Sequence, residues 1–172
     1  MDSLKGGDVT VRTQKSGDAA YIAYRHCVLY EKEYGLCGNF EQYVLDSLVK
    51  YLERRSEGEI WIVECNGQIV GSIGVVGIDK STAQLRWFLL EPEFRGTGLG
   101  RELMTIALDY CKQKKFSRVF LWTMQGLEVA YHLYSSFGFI PAEKVENNTW
   151  KKGVVEERWE LLLNPCKTGQ SC

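Results

Sequence analysis

A short segment near the middle of the sequence has the residue types of an anion-binding turn. The glycine-dense turn Arg95-Gly96-Thr97-Gly98-Leu99-Gly100 follows a strand-like run that ends near Leu90, and a helical pattern begins at its end. Glycine lets a backbone come close to a ligand and adopt positive φ, and the N–H groups of a first helical turn point at negative charge. The segment therefore suits a pyrophosphate, unless its glycines do no more than make a tight turn.

Two other kinds of phosphate loop do not fit these residues. A Rossmann fingerprint GxGxxG that starts at Gly96 requires a glycine where Arg101 stands. A P-loop ends in Gly-Lys-Ser/Thr, which this turn lacks. A Rossmann loop also normally follows the first strand of a βαβ series, whereas two predicted helices and several strands come first here. A nucleotide-binding oxidoreductase is therefore not expected.

The elements that must position this turn can be predicted from the hydrophobic periodicity. Asn66-Gly67 favours a type I′ turn because both positions tolerate positive φ, and the segment 16–18 offers capping side chains to the first helix. A helix between the strands at 83–90 and 119–123 implies one parallel pair in an otherwise antiparallel sheet. In chain order, we predict a strand at 9–13, a helix from 19 to about 35, a helix at 40–52, strands at 60–64, 68–76 and 83–90, a helix from 99 to about 115, a strand at 119–123, a helix at 127–137, and closing strands from about 139 and at 154–163.

This order of elements defines the expected fold class as α+β, or α/β, with a mixed, mostly antiparallel sheet of about seven strands and four helices. The 172 residues, 45% of them hydrophobic and 25% charged, are enough for one compact domain over residues 1–172. We expect its core at about residues 8–163 and a loose polar tail at 164–172. A formal net charge of -1 offers no polycationic surface for nucleic acid.

Neither a targeting segment nor a metal site is expected from the sequence. The first residues lack the apolar core of a signal peptide, and no stretch approaches the roughly 20 apolar residues that span a bilayer, so we expect a soluble, cytoplasmic protein without a membrane partner. His26 and His132 lie far apart without a metal-ligand spacing. The cysteines form no CxxC pair and are expected to be free thiols: Cys27, Cys37, Cys65, Cys111, Cys166 and Cys172.

The stretch from Leu85 to Arg101 resembles the acetyl-coenzyme A motif of the GNAT superfamily of N-acetyltransferases. That motif runs strand, Pro, two residues, Arg/Gln-x-x-Gly-x-Gly/Ala, helix. The stretch 130–139 is similar to the later helix motif of the family, Ala-x-x-Leu-Tyr-x-x-x-Gly-Phe, and 159–163 suits its last strand. The resemblance covers roughly residues 8–163. Arg86 and the stretch 25–35 further resemble GNAT domains that occur alone or fused to bacterial regulators.

The resemblance implies a role for each matching position. The strand that carries Leu90 is expected to splay from the strand that carries Thr123, and the coenzyme arm enters between them. Tyr134 takes the role of proton donor to the leaving thiolate, although by its place on an apolar helical stripe alone it would be a core residue. Acetyl-coenzyme A is the expected cosubstrate, and the residues expected to bind it are Leu89, Leu90, Arg95, Gly96, Thr97, Gly98, Leu99, Gly100 and Arg101.

One position departs from the family, and the acceptor side stays open. Many relatives have Asn where Met124 stands, so Gln125 is the expected substitute for a polar contact to the coenzyme arm. Arg86 either pairs with a carboxylate or reaches into the acceptor pocket. A base is expected, because an alkylamine is almost fully protonated at neutral pH. The candidates are His26, Glu31 and Glu33, which otherwise form the solvated face of a helix.

The expected function is transfer of an acetyl group from acetyl-coenzyme A to a primary amine, by direct attack and without a covalent enzyme intermediate. The acceptor is an amine of a small molecule or of a protein, and the closing strands are a candidate homodimer contact. The alternative is an acyl-coenzyme A sensor, or a structural domain of the same fold, without catalytic activity.

Overall fold

The computed structural model describes residues 7–36, 38–54 and 57–163. Every predicted element within these ranges is present, with ends that differ from the prediction by at most two residues. The expected loose tail and three of the cysteines, Cys37, Cys166 and Cys172, lie outside the described residues. The elements are β1 Val9–Thr13, α1 Asp18–Tyr34, α2 Asn39–Glu53, β2 Gly58–Cys65, β3 Gln68–Gly77, β4 Thr82–Leu90, α3 Leu99–Gln113, β5 Arg118–Met124, α4 Glu128–Ser136, β6 Ile140–Glu146 and β7 Val155–Leu162.

The strands form one seven-stranded sheet in the order β1-β2-β3-β4-β5-β7-β6. Neighbouring strands are antiparallel except β4 and β5, which are parallel because α3 carries the chain back between them. The last strand, β7, pairs with both β5 and β6. The predicted α+β architecture with one parallel pair is thereby confirmed.

The sheet has an apolar core on each face. On one face, α1 and α2 bury Ile22 and Val44 against Ile60 and Ile62 of β2. On the other, α3 buries Leu103 and Ala107 against the sheet, and Tyr134 of α4 joins the same cluster. Amphipathic helices of this kind keep a polar outer face, and none of the helices in the described ranges is long and apolar enough to cross a membrane.

The start of α1 differs from the expected capping arrangement. Its N-cap is Gly17, with φ of 95°, and no side chain caps the helix. Asp18 instead accepts hydrogen bonds from the guanidinium of Arg12, at 2.6 Å, and from the N–H of Lys15, at 2.6 Å. The carboxylate at the helix start thus anchors β1 to α1. The predicted turn at Asn66-Gly67 is confirmed by positive φ values of 51° and 77°.

A bulge in β4 bends the strand where it approaches the candidate site. Gly74 of β3 pairs with Arg86, while Ser72 pairs with Leu89, so β4 carries one extra residue between these pairs. Trp87, inside the bulge, has a φ of 48°. The buried hydroxyl of Ser72 donates to the carbonyl of Trp87 at 2.7 Å. This hydrogen bond satisfies the carbonyl that the bulge removes from the ladder.

The bulge also requires a glycine opposite the indole ring. A Cβ on Gly74 would lie 2.6 Å from Cε3 of Trp87, closer than carbon atoms approach. We expect Gly74→Ala to lower the free energy of unfolding by about 1–3 kcal/mol through overpacking, as measured by urea denaturation. Gly100→Ala is the matched control, because its Cβ would meet neighbours at 3.5–3.6 Å inside α3, and alanine favours a helix. Equal stability of the two variants would contradict the tight fit at Trp87.

Candidate active site

The parallel pair β4/β5 opens into a gap at its carboxyl end. Pairing joins Thr82–Leu85 to Arg118–Leu121 and ends there, although both strands continue. The N–H of Glu91 donates to the carbonyl of Val70 on the β3 side. Because successive N–H groups of a strand point to opposite edges, the N–H of Leu90 is directed into the gap.

The glycine turn lies directly after β4, at the start of α3. Gly96 and Gly98 have φ values of 73° and 96°, and Gly98 is the N-cap of the helix. The carbonyl of Gly98 accepts from the N–H groups of Arg101 and Glu102. Within the described residues, nothing accepts a hydrogen bond from the N–H groups of residues 96–100. Unpaired donors at a helix N-terminus form an anion site, and the positive end of the helix dipole adds to it.

Two arginines flank the turn, and both have protein partners. The guanidinium of Arg95 forms a bidentate pair with Glu33 of α1, at 3.0 and 2.9 Å, and its Nε donates to the carbonyl of Leu90. Arg101 donates to the hydroxyl of Ser136 at 3.1 Å. Arg95, at the start of the turn, therefore links the end of β4 to α1.

Glu33 is held as an anion by this pairing. Burial opposes its ionisation, but the hydrogen bonds and charge of Arg95 outweigh burial and lower the pKa of the carboxyl. Glu31, on the same helix, is exposed to solvent. A paired carboxylate of low pKa is a weak proton acceptor, so the structure does not favour Glu33 as the base.

Tyr134 lies beside the gap with its hydroxyl protonated. The residue is 7% exposed, and its ring lies near those of Phe139 and Trp159, at 6.2 and 6.1 Å between centroids. Burial raises the pKa of its hydroxyl to about 12, although the side chain of Thr123 at the end of β5 partly opposes the shift. A hydroxyl with this pKa is a proton donor at neutral pH.

Two further tyrosines, which the sequence analysis did not single out, lie close to Tyr134. The hydroxyls of Tyr30 and Tyr34 on α1 interact electrostatically with that of Tyr134, and burial raises the pKa of both. The ring of Tyr30 stacks on Phe40 at 5.0 Å between centroids. The spacing of four residues places both tyrosines on one face of α1, and this spacing was the sequence signal that could have identified them.

His26 lies on the buried side of α1 and does not form part of a solvated face. It is 5% exposed, and its Nδ1 lies 2.9 Å from the carbonyl of Ile22. Burial lowers the pKa of the imidazole to about 4, although this hydrogen bond opposes the shift. Its ring borders a small cavity with Ser72 and Leu89. His26 is thus a neutral side chain held between helix and sheet.

Arg86 projects towards α2, where its partners are neutral. Its guanidinium donates to the hydroxyl of Tyr43 at 3.0 Å and to the side-chain oxygen of Gln84 at 3.2 Å. It also lies over the rings of Tyr43 and Trp87, at 5.4 Å in each case. No carboxylate in the described ranges lies within ion-pair distance of it. Of the two alternatives for Arg86, the pair with a carboxylate is therefore not formed among the described residues.

An open cleft of about 460 Å³ lies at the carboxyl end of β5. Its walls come from the end of α1, the β5–α4 connection and the β6–β7 connection. Nζ of Lys151 donates to the carbonyl of Tyr34 at 2.8 Å and so joins two of these walls. The lining residues are Tyr34, Leu36, Met124, Gln125, Gly126, Leu127, Lys151, Lys152, Gly153, Val154 and Val155.

Met124 is a packing residue whose edge reaches the cleft. It is 9% exposed and belongs to the core beneath α1 and α2, together with Trp87 and Trp150. Gln125, which follows it, is exposed and lines the cleft. Met124 supplies apolar volume where the asparagine of the resembled motif would supply a polar group, and Gln125 is the adjacent polar side chain.

The thiols in the described ranges lie in packed positions. Cys65 and Cys111 are buried, Cys27 is half-buried, and burial raises the pKa of Cys111 to about 12. We expect Cys111→Ser to lower the free energy of unfolding by about 1–3 kcal/mol, because it buries a hydroxyl, and to leave turnover unchanged. Cys27→Ser should lower the free energy of unfolding less, because Cys27 is only half-buried, and should also leave turnover unchanged. Loss of turnover in a folded Cys111→Ser variant, measured by thiol release, would contradict a packing role.

Comparison with known proteins extends this description. A sequence model described as the acetyltransferase (GNAT) family matches residues 23–139. An uncharacterized N-acetyltransferase of Methanocaldococcus jannaschii is 30% identical over 103 residues, which are 56% of this chain and 46% of that protein. The chain spans about half the length of the curated relatives it matches.

Solved structures with the same fold are more distant in sequence. An acetyltransferase from Streptococcus agalactiae has a TM-score of 0.71 and 22% identity, over 90% of this chain and 98% of the other. A spermidine N-acetyltransferase from Vibrio cholerae, in complex with CoA and spermine, has a TM-score of 0.66 and 22% identity, over 90% of this chain and 95% of the other. At this identity the likeness shows the fold alone.

Proposed function

Because the chain belongs to the GNAT family of acetyltransferases, we propose that it transfers an acetyl group from acetyl-coenzyme A to a primary amine by direct attack of the amine on the thioester. The acceptor is an amine of a small molecule or of a protein. The observation that carries the proposal is the unpaired N–H groups of residues 96–100 at the start of α3, next to the β4/β5 gap and Tyr134.

The coenzyme is proposed to bind along this path. The pyrophosphate takes the N–H groups of the glycine turn, and the pantetheine arm lies against the backbone of Leu89 and Leu90, where the sheet offers an unpaired edge. The thioester then lies in the gap near the hydroxyl of Tyr134. Arg95 lies beside the turn, where its pairing with Glu33 fixes its position and balances its charge.

The chain's own groups support each step of the proposed reaction. The N–H of Leu90, directed into the gap, stabilises the negative charge that develops on the carbonyl oxygen. As the new C–N bond forms and the C–S bond breaks, Tyr134 gives its proton to the departing thiolate and regains one from water. His26 is buried with a low pKa and Glu33 is paired. We therefore propose that the amine's proton leaves through water in the open cleft.

A thiol-release screen tests this function. The protein is mixed with acetyl-coenzyme A and with representative amino acids, polyamines, aminoglycosides, arylamines and peptides, and free thiol is measured over time. We expect one class to give release well above the rate without acceptor. Binding of acetyl-coenzyme A by calorimetry without release from any amine would favour the sensor alternative and contradict the proposal.

A further inference from the structure

The cleft at the carboxyl end of β5 carries an unbalanced positive charge. Lys151 and Lys152 line it, and no acidic side chain is among its lining residues in the described part of the chain. The remaining lining residues are apolar residues, glycines, Tyr34 and Gln125. A ligand in this cleft therefore meets two ammonium groups and no carboxylate.

Two of the three carboxylates that lie beside the cleft in sequence have other partners, and the third, Glu128, is exposed in the first turn of α4. Glu33, next to Tyr34, is paired in bidentate fashion with Arg95. Glu156, next to Val155, accepts a hydrogen bond from the side-chain amide of Asn147 at 2.8 Å, and burial raises the pKa of its carboxyl despite that bond. Neither is available to neutralise the two lysines.

The position of Lys151 is fixed by a protein contact. Its ammonium donates to the carbonyl of Tyr34 at 2.8 Å. An ammonium has three donors, so two hydrogens of this group remain for a ligand. Lys152, the next residue, is exposed at the same wall. Together they can hold one small anionic group.

Tyr34 connects the cleft to the proposed reaction centre. Tyr34 lines the cleft and interacts electrostatically with Tyr134. Met124 also lines the cleft, and it follows Thr123 at the end of β5, beside the gap. A molecule of a few hundred cubic ångströms is the size that such a cleft admits. An amine held by the lysines at one end can thus reach the gap at the other.

We propose that the acceptor is a small amine that also carries an anionic group, a carboxylate or a phosphate, which Lys151 and Lys152 bind while the amine points to the gap. This inference rests on the proposed acetyl transfer. It separates the chain from the Vibrio cholerae neighbour, whose acceptor is the polycation spermidine, because a polycation would meet the two lysines with like charge.

Matched acceptors test the charge requirement. Thiol release at saturating acetyl-coenzyme A is measured for the standard amino acids beside their carboxamides, for O-phosphoethanolamine beside ethanolamine, and for spermidine. We expect an anionic acceptor to have a KM about tenfold or more below that of its neutral partner, and spermidine to be poorer than either. The amino-acid and phosphate arms identify which anion is bound.

A charge reversal tests the residues. Lys152→Glu should raise the KM of the anionic acceptor about tenfold or more, with the KM of the neutral partner and of acetyl-coenzyme A nearly unchanged. Lys80→Glu is the matched control, since it makes the same charge change in the β3–β4 turn at the opposite end of β4. We expect it to behave like the unmodified protein.

Four outcomes would overturn the inference. Preference for a neutral or cationic acceptor would exclude the anionic class and leave acetyl transfer standing. Equal KM shifts in Lys152→Glu and Lys80→Glu would remove the cleft lysines from acceptor binding. A change in the KM of acetyl-coenzyme A alone would assign the lysines to the coenzyme. Release from no amine of any charge would overturn acetyl transfer itself.

Discussion

Replacing Tyr134 with phenylalanine is expected to lower kcat by about 100-fold or more, the usual contribution of a positioned acid. Phenylalanine keeps the ring that packs near Phe139 and Trp159, so the melting temperature should change little. The dissociation constant of acetyl-coenzyme A should change far less than kcat, because proton transfer belongs to the transition state. Steady-state thiol release, calorimetry and thermal unfolding measure the three quantities.

Tyr30→Phe is the matched control for this prediction. It removes a buried hydroxyl that interacts with that of Tyr134 but comes from a different helix. We expect its kcat to stay within a few-fold of the unmodified protein. If Tyr30→Phe loses the rate and Tyr134→Phe keeps it, the proton donor is Tyr30. If both variants keep it, a water beside the sulfur is the donor.

Gly98→Asp is expected to raise the dissociation constant of acetyl-coenzyme A by about 100-fold, because it places a negative charge where the pyrophosphate is proposed to bind. A side chain has room at this position, since a Cβ on Gly98 would have no neighbour within 4 Å. The fold should therefore persist, with a modest loss of stability from the φ of 96°. Titration calorimetry measures the affinity.

Gly98→Asn separates charge from backbone strain. Asparagine has nearly the shape of aspartate, and both tolerate the left-handed region better than other residues do. We expect the asparagine variant to weaken binding only a few-fold. Similar affinities for the two variants would show that the conformation of the turn, and not its charge, governs binding. Unchanged affinity in both would remove the turn from the coenzyme site.

The elements of the fold were predictable because their signals are local. Asn66-Gly67 favours a turn with positive φ through its own residue types, and the change from a period of 2 to a period of 3.6 after Leu90 indicates the start of α3. The glycine turn belongs to the same class. Its φ values and free N–H groups depend on few residues close in sequence.

The partners of the charged residues were not predictable, because they depend on which elements meet. Arg95 pairs with Glu33 across a separation of 62 residues, and His26 is buried because the sheet lies beneath its side of α1. Sequence periodicity identifies helix faces but not the groups opposite them. The role of Lys151 and Lys152 was not predictable for the same reason, because the cleft that they line is formed by three separate segments of the chain.

The bulge at Trp87 is a second feature without a sequence signal. The period of 2 in β4 gives no indication that one residue is extra, because apolar side chains occupy both faces near it. Gly74 on the neighbouring strand becomes informative only when its position opposite the indole is known. Its substitution therefore tests a tertiary contact and not a local preference.

Because β7 lies between β5 and β6, the order in which the sheet can be completed is restricted. Strands β2 to β4 pair in chain order across short turns, and such local pairings form with little loss of loop entropy. β6 is synthesised before β7, but β7 is its only partner among the described strands. It must wait until β7 has docked on β5. A nascent chain that stops before Val155 would therefore present β5 and β6 as unpaired edges, which are prone to aggregation.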